Sequence, residues 1–205
     1  MTDPRKRSDG TEGQAPSASA MVDGTAFREA IGHFATGVTV ITTLHEDKPA
    51  GMTASAVASL SLDPVLLLVC IAHRLPTHHA IDSARGFVVN VLGEGQEELA
   101  LHFARPAPDK FSGVPLRSGC RLPVLDEAIA YFVCDVHERF PGGDHSIFTG
   151  LVRECDATPG RRPLVYFRSS FGALRDANAE LLQETLGWDM PSLSGAAPAR
   201  GTTPL

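Results

Sequence analysis

Between Gly51 and Pro64 the sequence GMTASAVASLSLDP sets four hydroxyl side chains, Thr53, Ser55, Ser59 and Ser61, among small apolar residues, just ahead of the apolar run VLLLVCIA. Alternation along an extended strand would put Thr53, Ser55 and Val57 on one face and Met52, Ala54 and Ala56 on the other. Small side chains on such a face let a flat ligand lie close to the backbone, while hydroxyls and backbone N–H groups can satisfy a polar heterocycle edge or a phosphate. An exposed strand face whose serines hydrogen-bond locally fits the same pattern. Asn90, which interrupts FVVNVL, poses a related choice. A carboxamide in a buried strand must find partners or cost about 1–3 kcal/mol. Those partners are either core groups or a ligand edge that needs both a donor and an acceptor. Lys110, before Phe111, reads as a solvated turn residue or as a cation for a phosphate. His145 follows Pro141-Gly142-Gly143-Asp144 at the start of a strand-like run, where a tight turn can hold an imidazole on the surface or at the mouth of a barrel.

Other chemistries find little support. His73, His78 and His79 cluster, but no Cys or carboxylate completes a zinc spacing around them, and no metal site is expected. No serine elbow, triad-like order, GxGxxG turn or P-loop is present. Cys70, Cys120, Cys134 and Cys155 lack CxxC spacing and sit mostly in apolar runs, as buried free thiols do.

The elements that must position these residues read as mostly β. Phe27, Ala30, Ile31 and Phe34 recur at helical spacing, with Gly37 as a stop. VTVITTL, the polar turn at Glu46 to Pro49 and a return through Met52 to Val57 form a hairpin. After the Asp63-Pro64 turn come a strand from Val65 to Ile71, a helix from Thr77 to Ala84, a strand at 87–92 and a helix from Gln96 to Phe103. Two long β-rich runs, 128–140 and 145–155, are joined by Pro141-Gly142-Gly143, and a last strand spans 163–169. About six hairpin-linked strands with short helices between them point to an antiparallel barrel.

With 205 residues and 43% hydrophobic content, the chain can bury one core. A net charge of -6 argues against nucleic acid or anionic lipid as a partner. VLLLVCIA is far shorter than the ~20 residues of a membrane span, and the polar N-terminus is unlike a signal peptide, so a cytoplasmic protein is expected. Residues 1–23 and 190–205 have the composition of flexible tails around a domain at 24–175, with a helix possible at 176–189.

Seven segments, FREAIGHFATGVTVITT, GMTASAVASLSLDP, GFVVNVL, LHFA, DKFSG, GGDHSIFTGLV and PLVYFRSSFGAL, occur in the order and approximate spacing of the flavin reductase-like family, the reductase components of two-component flavin-dependent monooxygenases. The resemblance covers about Phe27 to Leu174. It implies an FMN-binding split barrel, six-stranded, antiparallel and of Greek-key type with short peripheral helices. It also implies a homodimer with flavin near the subunit interface. The activity it implies is reduction of FMN or FAD by NADH or NADPH, with the reduced flavin released to a partner monooxygenase. On this resemblance Thr53, Ala54 and Ser55 lie along the flavin ring, and Ser59, Leu60 and Ser61 lie nearer the phosphate. Asn90 meets the pyrimidine edge, Phe103 and Ala104 close the site, and Lys110, Phe111 and Tyr166 join the flavin-binding set. His145 stands where nicotinamide and flavin meet. The chain departs from the family at Ala56 and Ala58, where Ser is commoner, and at Leu75-Pro76-Thr77, where Ser-x-Thr is commoner. Hydride transfer from nicotinamide C4 to flavin N5 needs stacked rings and no nucleophile. A split-barrel flavoprotein with tightly bound flavin acting on another substrate, and a noncatalytic flavin-binding protein, are the alternatives. The Gly143-Asp144-His145 segment weighs against the latter, and the absence of an evident basic pocket for a 2′-phosphate favours NADH.

Overall fold

The computed structural model describes residues 22–174; all but Val22 and Asp23 of the expected tail at 1–23, the expected tail at 190–205 and the possible helix at 176–189 lie outside them. Helix α1 spans Gly24–Ile31, with the Asp23 carboxylate accepting from the Thr25 N–H at its start. It ends at Gly32, earlier than Gly37, so Phe34 lies beyond it. Strand β1 (Thr36–Gly37) follows. The next hairpin pairs β2 (Thr39–His45) with β3 (Lys48–Ala54) in the expected register. Its two turn residues, Glu46 and Asp47, both have positive φ, 48° and 61°, the geometry that matches the twist of two-residue hairpins.

The chain then breaks. Ser55 and Ala56 form a connection, and β4 (Val57–Leu62) is a strand of its own that pairs with β5 (Val65–Ala72). The single strand expected from Met52 to Val57 is therefore two. Helix α2 (Pro76–Ala84), β6 (Gly86–Val91) and α3 (Glu97–Ala104) lie where periodicity placed them. The long hairpin β7 (Ala130–Gly142) and β8 (His145–Ala157) follows, and then β9 (Leu164–Phe167) and β10 (Ser170–Ala173).

The architecture is mainly β, antiparallel and of split-barrel type. Its large sheet has seven strands where six were expected, in the order β3-β2-β6-β7-β8-β5-β4, and a second sheet orders β1-β9-β10. Ile41, Ala54, Val69, Phe87, Cys134 and Phe148, from six different strands, share one buried cluster. A flat sheet could not bring them together, so the sheet curls around this core. Gly150 on β8 marks a point of close approach in this core, where an added Cβ would lie 2.6 Å from Phe87 Cζ and 2.8 Å from Cys134 Cβ.

β2 and β6 are also covered on their outer face. Val38, Val40 and Leu92 pack with Ala100 and Phe103 of α3 and with Leu125, while Val88 packs with Leu122 and Val124. Burial on both faces explains why VTVITT and FVVNV lack polar alternation. It also decides the role of Asn90, which is fully buried. Its amide donates to Val40 O at 3.0 Å and Thr42 Oγ1 at 3.0 Å, and its carbonyl accepts from Leu125 N–H at 2.8 Å. Thr42 Oγ1 in turn donates to Pro123 O. The carboxamide thus ties the 105–129 connection to the sheet.

Candidate active site

Strand β3 is an edge strand, paired only with β2. One side of its backbone therefore needs cover other than a strand. Helix α2, the end of α3 and the loop after it supply walls along that side, and a groove runs between them. Near the C-terminal end of β3 the groove opens into a lobe of about 300 Å³ lined by Thr53, Ala54, Ser55, Ala104, Tyr166 and Phe171, among others. Thr53 and Ala104 also line the next lobe, about 530 Å³, together with Arg74, Pro76, Lys110 and Phe111. Both volumes lie in the ~300–1,000 Å³ range of ligand sites.

The first lobe is lined by both small and aromatic side chains. Tyr166 and Phe171 sit in register across β9 and β10 with ring centroids 5.7 Å apart. The Thr53 hydroxyl donates to Ala100 O at 2.5 Å, which fastens β3 to α3 and leaves its oxygen lone pairs available. The Ser55 hydroxyl is exposed and has no hydrogen-bond partner among the described residues, so it can donate or accept.

The second lobe is the cationic part of the groove. Lys110 Nζ donates to Phe103 O at 2.8 Å and to Gly51 O at 3.2 Å, and burial pulls its pKa below the ordinary lysine value. Two of its three N–H bonds are thus used in pinning the loop. Phe111 packs edge-on against Phe103, with centroids 5.1 Å apart. Gly51 is where these rings approach β3, since a Cβ there would lie 3.2 Å from each ring. Arg74 is exposed and forms no salt bridge among the described residues. It adjoins the first turn of α2, whose N–H groups favour anions.

Eight residues expected at the site, Thr53, Ala54, Ser55, Phe103, Ala104, Lys110, Phe111 and Tyr166, line this groove. Ser59 and Ser61 do not. They border a separate apolar cavity of about 250 Å³ beneath the β4–β5 hairpin, and Leu60 is half-exposed at a bulge between them. The break after Ala54 carries these three residues away from Thr53. Asn90 lines neither lobe, because its amide and carbonyl are bound within the core. His145 starts β8 opposite Ala72, with Asp144 Oδ1 2.6 Å from its Nδ1. That hydrogen bond holds the Asp144 carboxyl below its ordinary pKa. Asp144 O accepts from the N–H of His73, the residue before Arg74, so His145 stands beside the second lobe instead of inside it. Arg74, Leu101 and Phe171 were not expected at the site. A lone Arg ahead of a helix has no distinctive spacing, and Phe171 becomes visible only once β9 and β10 are known to fold back on each other.

His73 and His78 share Ser146, their Nε2 atoms lying 3.2 and 2.9 Å from its hydroxyl. Among the described residues no group of three His, Cys, Asp or Glu side chains is arranged to hold a metal ion.

Residues 31–175 match the flavin reductase like domain, and the chain belongs to that family. It is an oxidoreductase of the flavin reductase class. It is 46% identical over 151 residues to the reductase component of 4-nitrophenol 4-monooxygenase/4-nitrocatechol 2-monooxygenase from Rhodococcus opacus, covering 74% of this chain and 81% of that protein. It is 38% identical to the flavin-dependent monooxygenase reductase subunit HsaB of Mycobacterium tuberculosis, covering 75% of this chain and 83% of the other. Among solved structures, the NADH:FAD oxidoreductase SgcE6 of Streptomyces globisporus, in complex with NAD and FAD fragments, aligns with a TM-score of 0.70 at 35% identity over 77% of this chain and 94% of that one.

Proposed function

We propose that this chain is the NAD(P)H-dependent reductase component of a two-component flavin-dependent monooxygenase, and that the groove along β3 binds the flavin. The observation that carries this reading is a lobe lined by small and aromatic side chains that shares Thr53 and Ala104 with a lobe holding two cations. Small residues at 53–55 line one end with Tyr166 and Phe171, and Lys110 and Arg74 stand at the other. A planar tricycle with a phosphorylated tail has that polarity.

The donor set fits. Thr53 has its hydrogen committed and offers lone pairs, while Ser55 offers either sense, which suits a heterocycle edge carrying both donors and acceptors. The ring would lie against Thr53, Ala54 and Ser55, with the phosphate toward Lys110 and Arg74 and away from Ser59 to Ser61. A flavin held there would supply the acceptor for a hydride from the reduced nicotinamide. This chain's residues bind, orient and exclude water. Tyr166 and Phe171 cover the lobe, and His145, oriented by Asp144, positions the nicotinamide carboxamide from beside the groove. NADH is the proposed donor.

Exposed apolar side chains support a homodimer. Phe27, Ile31 and Phe34 are 59, 50 and 70% exposed, and Leu62 at the tip of β4 is 89% exposed; patches of this kind mark interaction surfaces. All four thiols are free, as suits a reducing cytoplasm.

The test is oxidation of NADH and NADPH by the purified protein with and without added FMN or FAD, beside a flavin-fluorescence titration. Turnover that depends on added flavin is expected, with Ser55→Ala weakening flavin binding by about tenfold, the equivalent of one lost hydrogen bond of ~1.4 kcal/mol. No turnover with either nucleotide would overturn the reading.

A further inference from the structure

The pairing of β5 with β8 ends where the chain turns toward α2, at Ala72 opposite His145. Beyond that point side chains hold the turn to β8. Ser146 Oγ lies 2.9 Å from His78 Nε2 and 3.2 Å from His73 Nε2, and the His73 N–H donates to Asp144 O at 3.0 Å. Ser146 and His78 are both buried, and the His78 ring meets Phe148 of the core edge-on, with centroids 5.2 Å apart. His78 Nδ1 is buried with no hydrogen-bond partner among the described residues, and a bare nitrogen in that position costs less than an N–H. The proton is therefore placed on Nε2. Nε2–H donates to Ser146 Oγ, which leaves the Ser146 hydroxyl to donate to His73 Nε2. A leucine at 78 would fill much the same space without an unmet nitrogen, so packing alone does not account for the imidazole.

Each end of this hydrogen-bonded chain is one residue from a group at the groove. His73 precedes Arg74, which lines the second lobe, and Ser146 follows His145. Alternation along β8 puts Ser146 and His145 on opposite faces. We propose that Ser146 and His78 are positioning residues for NADH: with His73 they clamp the Arg74 turn to the start of β8 and fix where His145 presents its imidazole. This inference rests on the reading above in which His145 positions the nicotinamide. Arg74 has a long side chain that can follow a shifted anion, whereas His145 has a short one tied to Asp144 at 2.6 Å. Loosening the clamp therefore acts on the nicotinamide more than on the flavin.

The experiment is steady-state oxidation of NADH by the full chain at saturating flavin, for Ser146→Ala, His78→Leu and His78→Gln, each alone and combined with His145→Ala. Ser146→Ala and His78→Leu are expected to lower kcat/KM about fivefold, through KM, with flavin affinity within about twofold of the parent. His78→Gln keeps an N–H in the place of Nε2 and should match the parent. On top of His145→Ala none of the three should have a further effect. In the flavin-free protein, Ser146→Ala should speed hydrogen exchange at the His73 N–H. Folded variants with the parent's KM or unchanged exchange overturn the proposal. So does an equal loss with and without His145, because the cluster then acts on the fold at large. If Ser146→Ala does not fold, the contrast between His78→Leu and His78→Gln decides the matter in the same way. A parent that oxidises neither NADH nor NADPH defeats the reductase reading and the clamp with it, whereas an active parent with indifferent variants defeats the clamp alone.

Discussion

Asn90 Nδ2 and Oδ1 bind Val40, Thr42 and Leu125 in the core, so its contribution is to hold the 105–129 connection against the sheet. Asn90→Ala strands a buried N–H and two acceptors. It should lower stability by about 2–3 kcal/mol in urea denaturation while leaving the flavin affinity of the folded protein within a few-fold of the parent. His145 should behave in the opposite way. His145→Ala is expected to leave stability and flavin binding nearly intact and to lower kcat/KM for NADH by about tenfold, the loss of one hydrogen bond worth ~1.4 kcal/mol. Stopped-flow reduction of bound flavin separates that effect from flavin capture. His78 supplies a pH dependence. Burial, with His73 next in effect, pulls its pKa below the ordinary 6.5. Between the two values the unfolded chain binds more protons, so stability should fall as pH drops through 6.5 toward the folded pKa. Thermal melts from pH 7.5 to 5 should show this fall, and His78→Gln should flatten it.

At the scale of elements, the structure depends on close approaches that permit no side chain. Gly150→Ala would drive a Cβ into Phe87 and Cys134 at the centre of the barrel. A loss of about 1–3 kcal/mol is expected, read as a lowered Tm and weaker cooperativity. Such positions are silent in the sequence, because a glycine in FTGLV looks like any strand glycine until the opposing ring is known. The elements with strong local signals were legible. The β2–β3 hairpin, α2, β6, α3 and the β7–β8 hairpin carry periodicity and turn residues within a dozen positions, and all occur near their expected bounds. What could not be read was set by distant partners. The break at Ser55-Ala56 follows from β4 pairing with β5 instead of continuing β3, and β1 exists only because β9 pairs with it. The residues read as a site separate on the same grounds. Thr53 to Ser55 and Lys110-Phe111 converge on one groove, whereas the Ser59–Ser61 stretch, beyond the break, goes to another cavity.

For the whole molecule, the exposed apolar surface gives an expectation about assembly. Sedimentation equilibrium should return twice the chain mass, and Leu62→Glu, which places a charge on the most exposed of the large apolar side chains, should weaken association if the β4–β5 tip is part of the contact. A monomer at micromolar concentration would remove the homodimer from the proposal. The four thiols have a further consequence. A flavin reductase works beside reduced flavin, and reduced flavin that escapes into aerated water yields hydrogen peroxide, so the protein is exposed to an oxidant of its own making. Thiolates react with peroxide and thiols scarcely do. Burial pushes the Cys134 thiol up to about 12, which leaves it almost wholly protonated at neutral pH inside the barrel. Cys155, on the exposed half of β8, is open to solvent. Peptide mapping after prolonged aerobic turnover should find sulfenic and sulfinic acids at Cys155 long before Cys134. The barrel interior thus shelters Cys134 from the enzyme's own oxidant, while a thiol on the surface stays open to it.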